Sequence, residues 1–123
     1  MIPFSRADRV GGLIQEVLSD LLKKSIRDPR LAMVTITSVK MSRDLKLARI
    51  YFSIYGDSSK RDAAAKGFES ARGFIKRSLA RRLGLRYMPD LKFFYDESFD
   101  YGSHIEQLLG KITTDNGPDH QSD

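Results

Sequence analysis

The residues of this sequence whose types and spacing could do chemistry are mostly cationic, and they concentrate in one segment. Between Ala71 and Tyr87 the chain has no acidic residue, and it carries six basic ones: Arg72, Lys76, Arg77, Arg81, Arg82 and Arg86. Such a segment is destabilised by its own charge repulsion unless an anionic partner binds it. The whole chain has 21 Lys and Arg residues against 16 Asp and Glu residues, and a net charge of +5. These charges predict a polyanionic partner such as RNA.

Residues suited to catalysis or metal binding are scarce. The chain has no cysteine, so disulfides and cysteine-based zinc sites are excluded. Its only histidines are His104 and His120, so few residues are available as the general base of a serine catalytic triad. Asp96, Glu97 and Asp100 could in principle bind Mg²⁺ or act as acid and base, but we favour the alternative that they end a strand and cap a helix. No phosphate-binding GxxxxGKS/T loop occurs. We therefore expect a protein that is not an enzyme and has no cofactor, metal or small-molecule substrate.

Length and composition predict one domain followed by a short tail. A chain of 123 residues can bury a core without metal or disulfide staples. Residues 113–123 have neither periodicity nor apolar content and include Asp115, Asp119 and Asp123, which predicts a disordered acidic tail behind a single domain at residues 1–112. No apolar run reaches the ~18 residues of a membrane span, and the N-terminus lacks the apolar core of a signal peptide. We expect a cytoplasmic protein that binds no membrane, with a monomer as the simplest state.

The N-terminal segment predicts an amphipathic helix. Ser5 and Asp8 have the spacing of a capping box, in which each side chain accepts a hydrogen bond from the other residue's backbone. The apolar residues that follow recur every three or four positions: Val10, Leu13, Ile14, Val17, Leu18, Leu21 and Leu22. Because Pro29 cannot continue a helix, we expect this one to end near Arg27.

Three segments have the composition of β-strands. Met33–Met41 is rich in β-branched residues, and Leu45–Tyr55 alternates so that its even-numbered apolar residues share one face. These two strands are close enough in the chain to form a hairpin, and a change of phase in the first predicts a β-bulge near Thr37 or Ser38. Leu91–Asp96 predicts a third strand.

Between the second and third strands the sequence predicts two helices separated by a glycine. One runs over residues 60–71, with Ser58 or Ser59 as its N-cap. Gly73 then interrupts the helical pattern, because glycine is a poor helix former. The next helix spans Phe74–Leu83.

The basic residues of that later helix are not equivalent. One stripe of the helix is apolar: Ile75, Leu79 and Leu83. At ~100° per residue, Arg77 and Arg81 lie together on the opposite side, Lys76 lies at the border of the stripe, and Arg82 falls inside it. Arg82 must therefore extend its charged end towards water. We expect Phe74 to fill the core beneath the glycine rather than stack on a base.

With a predicted last helix at Asp100–Ile112, the order is helix, strand, strand, helix, break, helix, strand, helix. It predicts an α+β domain with helices on one face of a three-stranded sheet, and it resembles a type II KH domain. The sequence resembles the bacterial ribosome-binding factor A family in four motifs: DPRL (residues 28–31), VKMSRDLKLARIYFS (39–53), ARGFI (71–75) and LGLRYMPDLKFFYDES (83–98). KH domains grip nucleic acid with a GxxG loop, whereas Ala71-Arg72-Gly73 is similar to that family's AxG kink. A kink in place of the loop leaves a rigid basic edge, which should bind short unstructured RNA weakly.

The resemblance also implies a function. It implies a non-catalytic assembly factor that binds the free small (30S) ribosomal subunit and its 16S rRNA during late maturation and rRNA processing, and that supports cold adaptation. With the basic pattern, it places the rRNA-binding residues at Arg72, Gly73, Lys76, Arg77, Arg81, Arg82 and Arg86. Further cations could extend this surface: Arg6, Arg9, Arg43 and Lys46. The alternative is a stand-alone KH-like module that regulates mRNA or binds a protein partner.

Overall fold

A computed structural model describes residues 5–98 of the chain. Two α-helices pack on one face of a three-stranded sheet, as the sequence predicted. The elements follow in the order α1 (Arg6–Lys24), a short 3-10 helix (Pro29–Leu31), β1 (Val34–Met41), β2 (Leu47–Ile54), α2 (Ser58–Leu83) and β3 (Asp90–Tyr95). The predicted last helix at Asp100–Ile112 and the predicted tail at 113–123 lie outside the described residues.

Helix α1 begins with the predicted capping box. Ser5 Oγ accepts a hydrogen bond from the Asp8 N–H, and the Asp8 carboxylate accepts one from the Ser5 N–H. The helix ends at Lys24 and not near Arg27, because the chain leaves it to form a separate 3-10 turn. The side chain of Asp28 caps that turn, and a proline occupies its first position.

Strand β2 lies at the centre of the sheet. It pairs with β1 antiparallel and with β3 parallel, and α2 makes the crossover between the two parallel strands. The register of β1 shifts between Ile36 and Ser38, which confirms the predicted bulge. The predicted inward face of β2 is buried against the helices: Ala48, Ile50, Phe52 and Ile54.

Helix α2 differs from the prediction because Gly73 does not divide it. The two predicted helices form one continuous α-helix of 26 residues. A glycine costs a helix ~1 kcal/mol relative to alanine, whereas burial of one large apolar side chain contributes ~1.5–3 kcal/mol. Phe68, Ile75 and Leu79 lie on both sides of Gly73 and are all fully buried. Their packing on the sheet therefore outweighs the low helix propensity of the glycine.

The ends of α2 are set by capping residues, one of which the sequence analysis missed. Asp57 is the N-cap, and its carboxylate accepts hydrogen bonds from the N–H groups of Ser59 and Lys60. The predicted N-caps Ser58 and Ser59 lie inside the helix instead, since aspartate bonds these N–H groups and also carries the favourable negative charge. The C-cap is Gly84 in the left-handed conformation, with φ 61°.

Candidate nucleic-acid interface

Helix α2 carries most of the predicted RNA-binding residues, and its packing decides which of them reach solvent. Its buried side consists of small and apolar residues: Ala64, Gly67, Phe68, Ile75, Ser78 and Leu79. Because side chains advance ~100° per residue, the basic residues leave the helix on three different sides. One side faces β3, one faces α1, and the third points away from both.

Two cations on the side facing β3 are held by protein groups. Arg72 donates from Nη1 to the Leu91 carbonyl oxygen at 2.5 Å and from Nη2 to Glu69 Oε2 at 2.6 Å. Lys76 Nζ donates to Asp90 Oδ1 at 3.2 Å. These contacts join α2 to β3 across the edge of the core. Both side chains therefore help to position the helix, and they are less available to an RNA phosphate than the sequence suggested.

Arg82 extends to α1. Its Nη1 donates to Asp20 Oδ2 at 3.1 Å, and Lys24 Nζ lies 3.1 Å from Asp20 Oδ1. Hydrogen bonds from Lys24 and then from Arg82 lower the pKa of the Asp20 carboxyl from its ordinary value of 3.8. The Arg82 side chain remains 46% exposed. A charge that the helical wheel placed in the apolar stripe is thus accommodated by a carboxylate on the neighbouring helix.

The side of α2 that points away from the sheet is formed by Phe74, Arg77 and Arg81, which we call the outer stripe. All three residues are exposed. Arg77 has no hydrogen bond or ion pair within residues 5–98, and Arg81 makes one long contact of 3.4 Å to Ser78 Oγ. Gly73 lies beside the stripe, where an added Cβ atom would come 3.3 Å from Arg77 Nη1. The outer stripe therefore presents two guanidinium groups that are free to bind an external anion.

Phe74 does not fill the core, so that expectation is wrong. Its side chain is 37% exposed and stands on the same stripe as the two arginines. The expectation assumed a gap beneath a broken helix, and the continuous helix leaves no such gap. An exposed ring beside two guanidinium groups is a combination that can contact both the base and the phosphate of RNA.

Arg86 lies beyond the end of α2, where it lines a cleft together with Arg6 and Lys46. The cleft has a volume of about 600 Å³, and two carboxylates also line it. The structure therefore brings two of the four additional cations close to Arg86. Arg9 and Arg43 are exposed but do not line this cleft.

A second cationic surface was missed by the sequence analysis. On the sheet face that no described helix covers, Lys40, Arg49 and Lys92 lie in one row across adjacent strands. The sequence pattern that could have indicated this surface is the period-2 alternation of β2, which places Arg49 and Tyr51 on the face opposite its buried residues. That signal was insufficient because the pairing of β3 with β2 depends on contacts distant in the sequence.

Asp96, the first carboxylate after β3, has structural partners. Asp96 accepts a hydrogen bond from Thr37 Oγ1 at 2.5 Å and another from the backbone N–H two residues later at 3.0 Å, which fits the favoured role of ending a strand. Within residues 5–98 no group of three or more metal-binding side chains is arranged around one point. Asp100, His104 and His120 lie outside the described residues. No helix of the described part of the chain is long and apolar enough to cross a membrane.

The fold and the cationic helix define a class: a KH-like α+β domain whose exposed charge suits a nucleic-acid partner. The chain matches the family described as Ribosome-binding factor A over residues 6–109. It belongs to the ribosome-binding factor A family, as the four sequence motifs indicated.

Individual relatives agree with this assignment. The Ribosome-binding factor A of Desulfatibacillum aliphaticivorans is 54% identical over 112 residues, which cover 91% of each chain. That of Desulfosudis oleivorans is 55% identical over 115 residues, which cover 94% of this chain and 89% of the relative.

Solved structures show the same fold at lower identity. The crystal structure of ribosome-binding factor A from Thermus thermophilus has a TM-score of 0.66 and 22% identity, and the match covers 72% of this chain and 93% of that one. A homology model of the Thermus thermophilus factor, fitted into a cryo-EM map of a 30S complex, has a TM-score of 0.63 and 22% identity over 76% of this chain and 97% of that one.

Proposed function

We propose that this chain is a non-catalytic assembly factor that binds the free small ribosomal subunit through its 16S rRNA in the cytoplasm. The observation that carries the proposal is the outer stripe of α2, which exposes two guanidinium groups without an ion pair among the described residues, within an acid-free segment. Family membership supports this partner, since a relative's homology model was fitted into the map of a 30S complex. The proposed surface recognises folded rRNA by the position of its phosphates.

The geometry of α2 suits this recognition. Arg77 and Arg81 are one helical turn apart, and their planar guanidinium groups can each form two parallel hydrogen bonds to a phosphate. Arg72 and Lys76 hold the helix against β3, and Arg82 holds it against α1. The two free arginines are therefore presented from a helix that is fixed on both sides. A rigid arrangement of this kind favours an RNA whose own shape is already fixed.

The direct test is co-sedimentation with salt-washed small subunits. We expect the double change Arg77→Glu, Arg81→Glu to abolish stable association, because it replaces two phosphate-binding cations with repelling anions. A matched control with the same change in net charge is Lys23→Glu, Arg27→Glu, at and just beyond the C-terminal end of α1. Both control residues are exposed and have no ion pair within the described chain.

The control separates a specific surface from a general effect of net charge. The control variant should sediment with small subunits almost as well as the unchanged protein. Equal losses in both variants would show that only net charge matters, and equal retention would exclude the outer stripe as the docking surface. Circular dichroism of each variant checks that the fold is intact.

The proposal extends to late maturation, 16S rRNA processing and growth in the cold, which rest on family membership. A cell that lacks this factor should grow poorly at low temperature and accumulate unprocessed 16S rRNA. Supplying the Arg77→Glu, Arg81→Glu variant should restore neither property, whereas the matched control should restore both. Metal-dependent RNA or nucleotide cleavage by the purified protein that is lost in Asp96→Asn would contradict the non-catalytic assignment.

A further inference from the structure

The face of the sheet opposite α1 and α2 has a composition that the core does not explain. In β2 the outward residues Arg49 and Tyr51 alternate with the buried residues Ala48, Ile50 and Phe52. Tyr51 and its neighbour Phe94 do not pack against the apolar core, although both are large aromatic residues. No helix of the described part of the chain covers this face. We call it the open sheet face.

One row of the open sheet face is entirely cationic. The strand register places Lys40 of β1 opposite Arg49 of β2, and Arg49 beside Lys92 of β3. All three side chains are exposed, and none has an ion pair within residues 5–98. Neighbouring strands are ~4.8 Å apart, and like charges at that spacing destabilise a sheet. An anion bound over the row would remove this repulsion.

The carboxylates at the two ends of β3 and at the start of α1 have hydrogen-bond partners elsewhere. Asp90, at the start of β3, accepts a hydrogen bond from Lys76 Nζ at 3.2 Å, and Asp96, at its end, accepts one from Thr37 Oγ1 at 2.5 Å. Asp8, at the start of α1, has its pKa lowered mainly by hydrogen bonds from Ser5 and to a smaller extent by the charge of Lys40. No described carboxylate forms an ion pair with Arg49 or Lys92.

The adjacent row of the same face is aromatic. Tyr51 pairs with Phe94 in the register, their ring centroids are 5.6 Å apart, and their planes are inclined by 30°. Phe94 is 40% exposed, so its ring can be reached from solvent. Two residues along a strand span ~6.6 Å, which places the aromatic row about one nucleotide's reach from the cationic row.

We propose that the open sheet face binds single-stranded RNA, with a base stacked on Phe94 and the adjoining phosphates on Arg49 and Lys92. Aromatic rings beside cations are the combination that single-strand binding surfaces use. An acidic protein partner would also meet the cations, but it would not require a stacked, exposed ring. This site lies on the opposite side of the sheet from α2, so it does not depend on the proposed function of the outer stripe.

The test is an NMR titration of the full chain with a short oligoadenylate, which forms no base pairs with itself at neutral pH. We expect the amide signals of β2 and β3 around Arg49, Tyr51, Lys92 and Phe94 to shift. Phe94→Leu keeps an apolar side chain but removes the ring, and it should weaken binding by about tenfold, the order of one lost base-stacking contact. The matched control is Tyr87→Leu, which removes a 79% exposed ring that lies outside the three strands and should leave binding unchanged.

Two further measurements keep the proposal falsifiable. Lys92→Gln should lower the salt dependence of binding by about one phosphate contact, and Arg77→Glu, Arg81→Glu should leave the shifts of β2 and β3 in place. The proposal is overturned if Phe94→Leu binds oligoadenylate as well as the unchanged protein, or if the shifts appear only on α2. It is also overturned if an acidic peptide displaces the oligoadenylate and binds equally well in the Phe94→Leu protein.

Discussion

At the scale of single residues, the partner of each arginine decides what it can do. Arg72 and Arg82 belong to the same acid-free segment as Arg77, yet one bonds a strand carbonyl, one bonds a carboxylate on α1, and Arg77 has neither kind of contact within the described chain. Ion pairs at an exposed surface contribute only ~0–1 kcal/mol to stability. The ion pair of Arg82 with Asp20 therefore matters more for the position of the side chain than for stability.

These roles could be predicted from the sequence only in part. The sequence indicated correctly that Arg77 and Arg81 share an exposed side of the helix, because that depends on local helical geometry alone. It could not indicate that Asp20 lies within reach of Arg82, since that contact joins residues 62 positions apart. It also placed Phe74 wrongly, because the environment of that ring depends on whether the helix continues through Gly73.

Gly73 provides a prediction at the same scale. Gly73→Ala should stabilise the protein by up to ~1 kcal/mol, the difference in helix propensity, and raise Tm by roughly 4–8 °C for a domain of this size. Among residues 5–98, the only side chain that meets the added Cβ is the flexible end of Arg77, at 3.3 Å, and it can move aside. Thermal unfolding followed by circular dichroism measures the change.

A second glycine in the same helix is the control. Gly67 is buried, and a Cβ there would lie 3.1 Å from two side-chain carbons of Leu31, so Gly67→Ala should gain no stability or lose some. A lower Tm for Gly73→Ala would contradict the continuous helix, since it would mean that the position needs a conformation that alanine cannot adopt.

At the scale of elements, local sequence patterns predicted the structure correctly where it depends on residues that are neighbours in the chain. The capping box of Ser5 and Asp8 and the bulge before Ser38 both follow from short-range patterns and are confirmed. The predicted break at Gly73 was wrong because it considered only the helix propensity of glycine, ~1 kcal/mol, and not the packing of α2 on the sheet. The parallel pairing of β2 and β3 was not predicted, because no local pattern specifies it.

The N-terminus of α2 gives a prediction for pH. Hydrogen bonds from Ser59, first from its hydroxyl, and from the Lys60 backbone lower the pKa of Asp57 below its ordinary value of 3.8. The unfolded chain then binds this proton more readily, so stability falls as the pH decreases from about 5 through the folded-state pKa. Asp57→Asn keeps a capping residue without a titrating group, and its stability should fall less over that range.

The measurement is urea unfolding at a series of pH values between about 6 and 2.5. Other aspartates also titrate there, so the informative quantity is the difference between Asp57→Asn and the unchanged protein. Asp62→Asn, in the first turns of the same helix, is the control, because Asp62 makes no side-chain hydrogen bond within the described chain. Identical pH profiles for Asp57→Asn and the unchanged protein would show that the cap does not titrate in this way.

At the scale of the whole molecule, the two-layer fold separates two cationic surfaces. Helix α2 packs on one face of the sheet and directs Arg77 and Arg81 away from it, whereas Arg49 and Lys92 lie on the opposite face. A molecule with a thickness of only two layers could therefore lie between two segments of a folded RNA. The net charge of +5 agrees with such a position, because each surface lowers the repulsion of its own cations by binding phosphate.

This arrangement predicts different affinities for short RNA and for the small subunit. A short unstructured strand can occupy one surface at a time, so its affinity should be weak and should fall steeply with salt. Each phosphate contacted should add about −0.7 to the slope of log affinity against log salt concentration. The small subunit fixes many phosphates in space and can contact both surfaces, so it should bind much more tightly at the same salt concentration.

Binding measured over a salt series with both partners tests this difference. The variant Arg77→Glu, Arg81→Glu should lose subunit binding while retaining the weak interaction of the open sheet face with short RNA. Phe94→Leu should weaken the binding of short RNA more than the binding of the subunit. Because the two surfaces lie on opposite sides of the sheet, their effects on subunit binding should be nearly additive in free energy. Tight, sequence-selective binding of a short single strand would contradict this view, since it would require a flexible clamp where α2 is continuous.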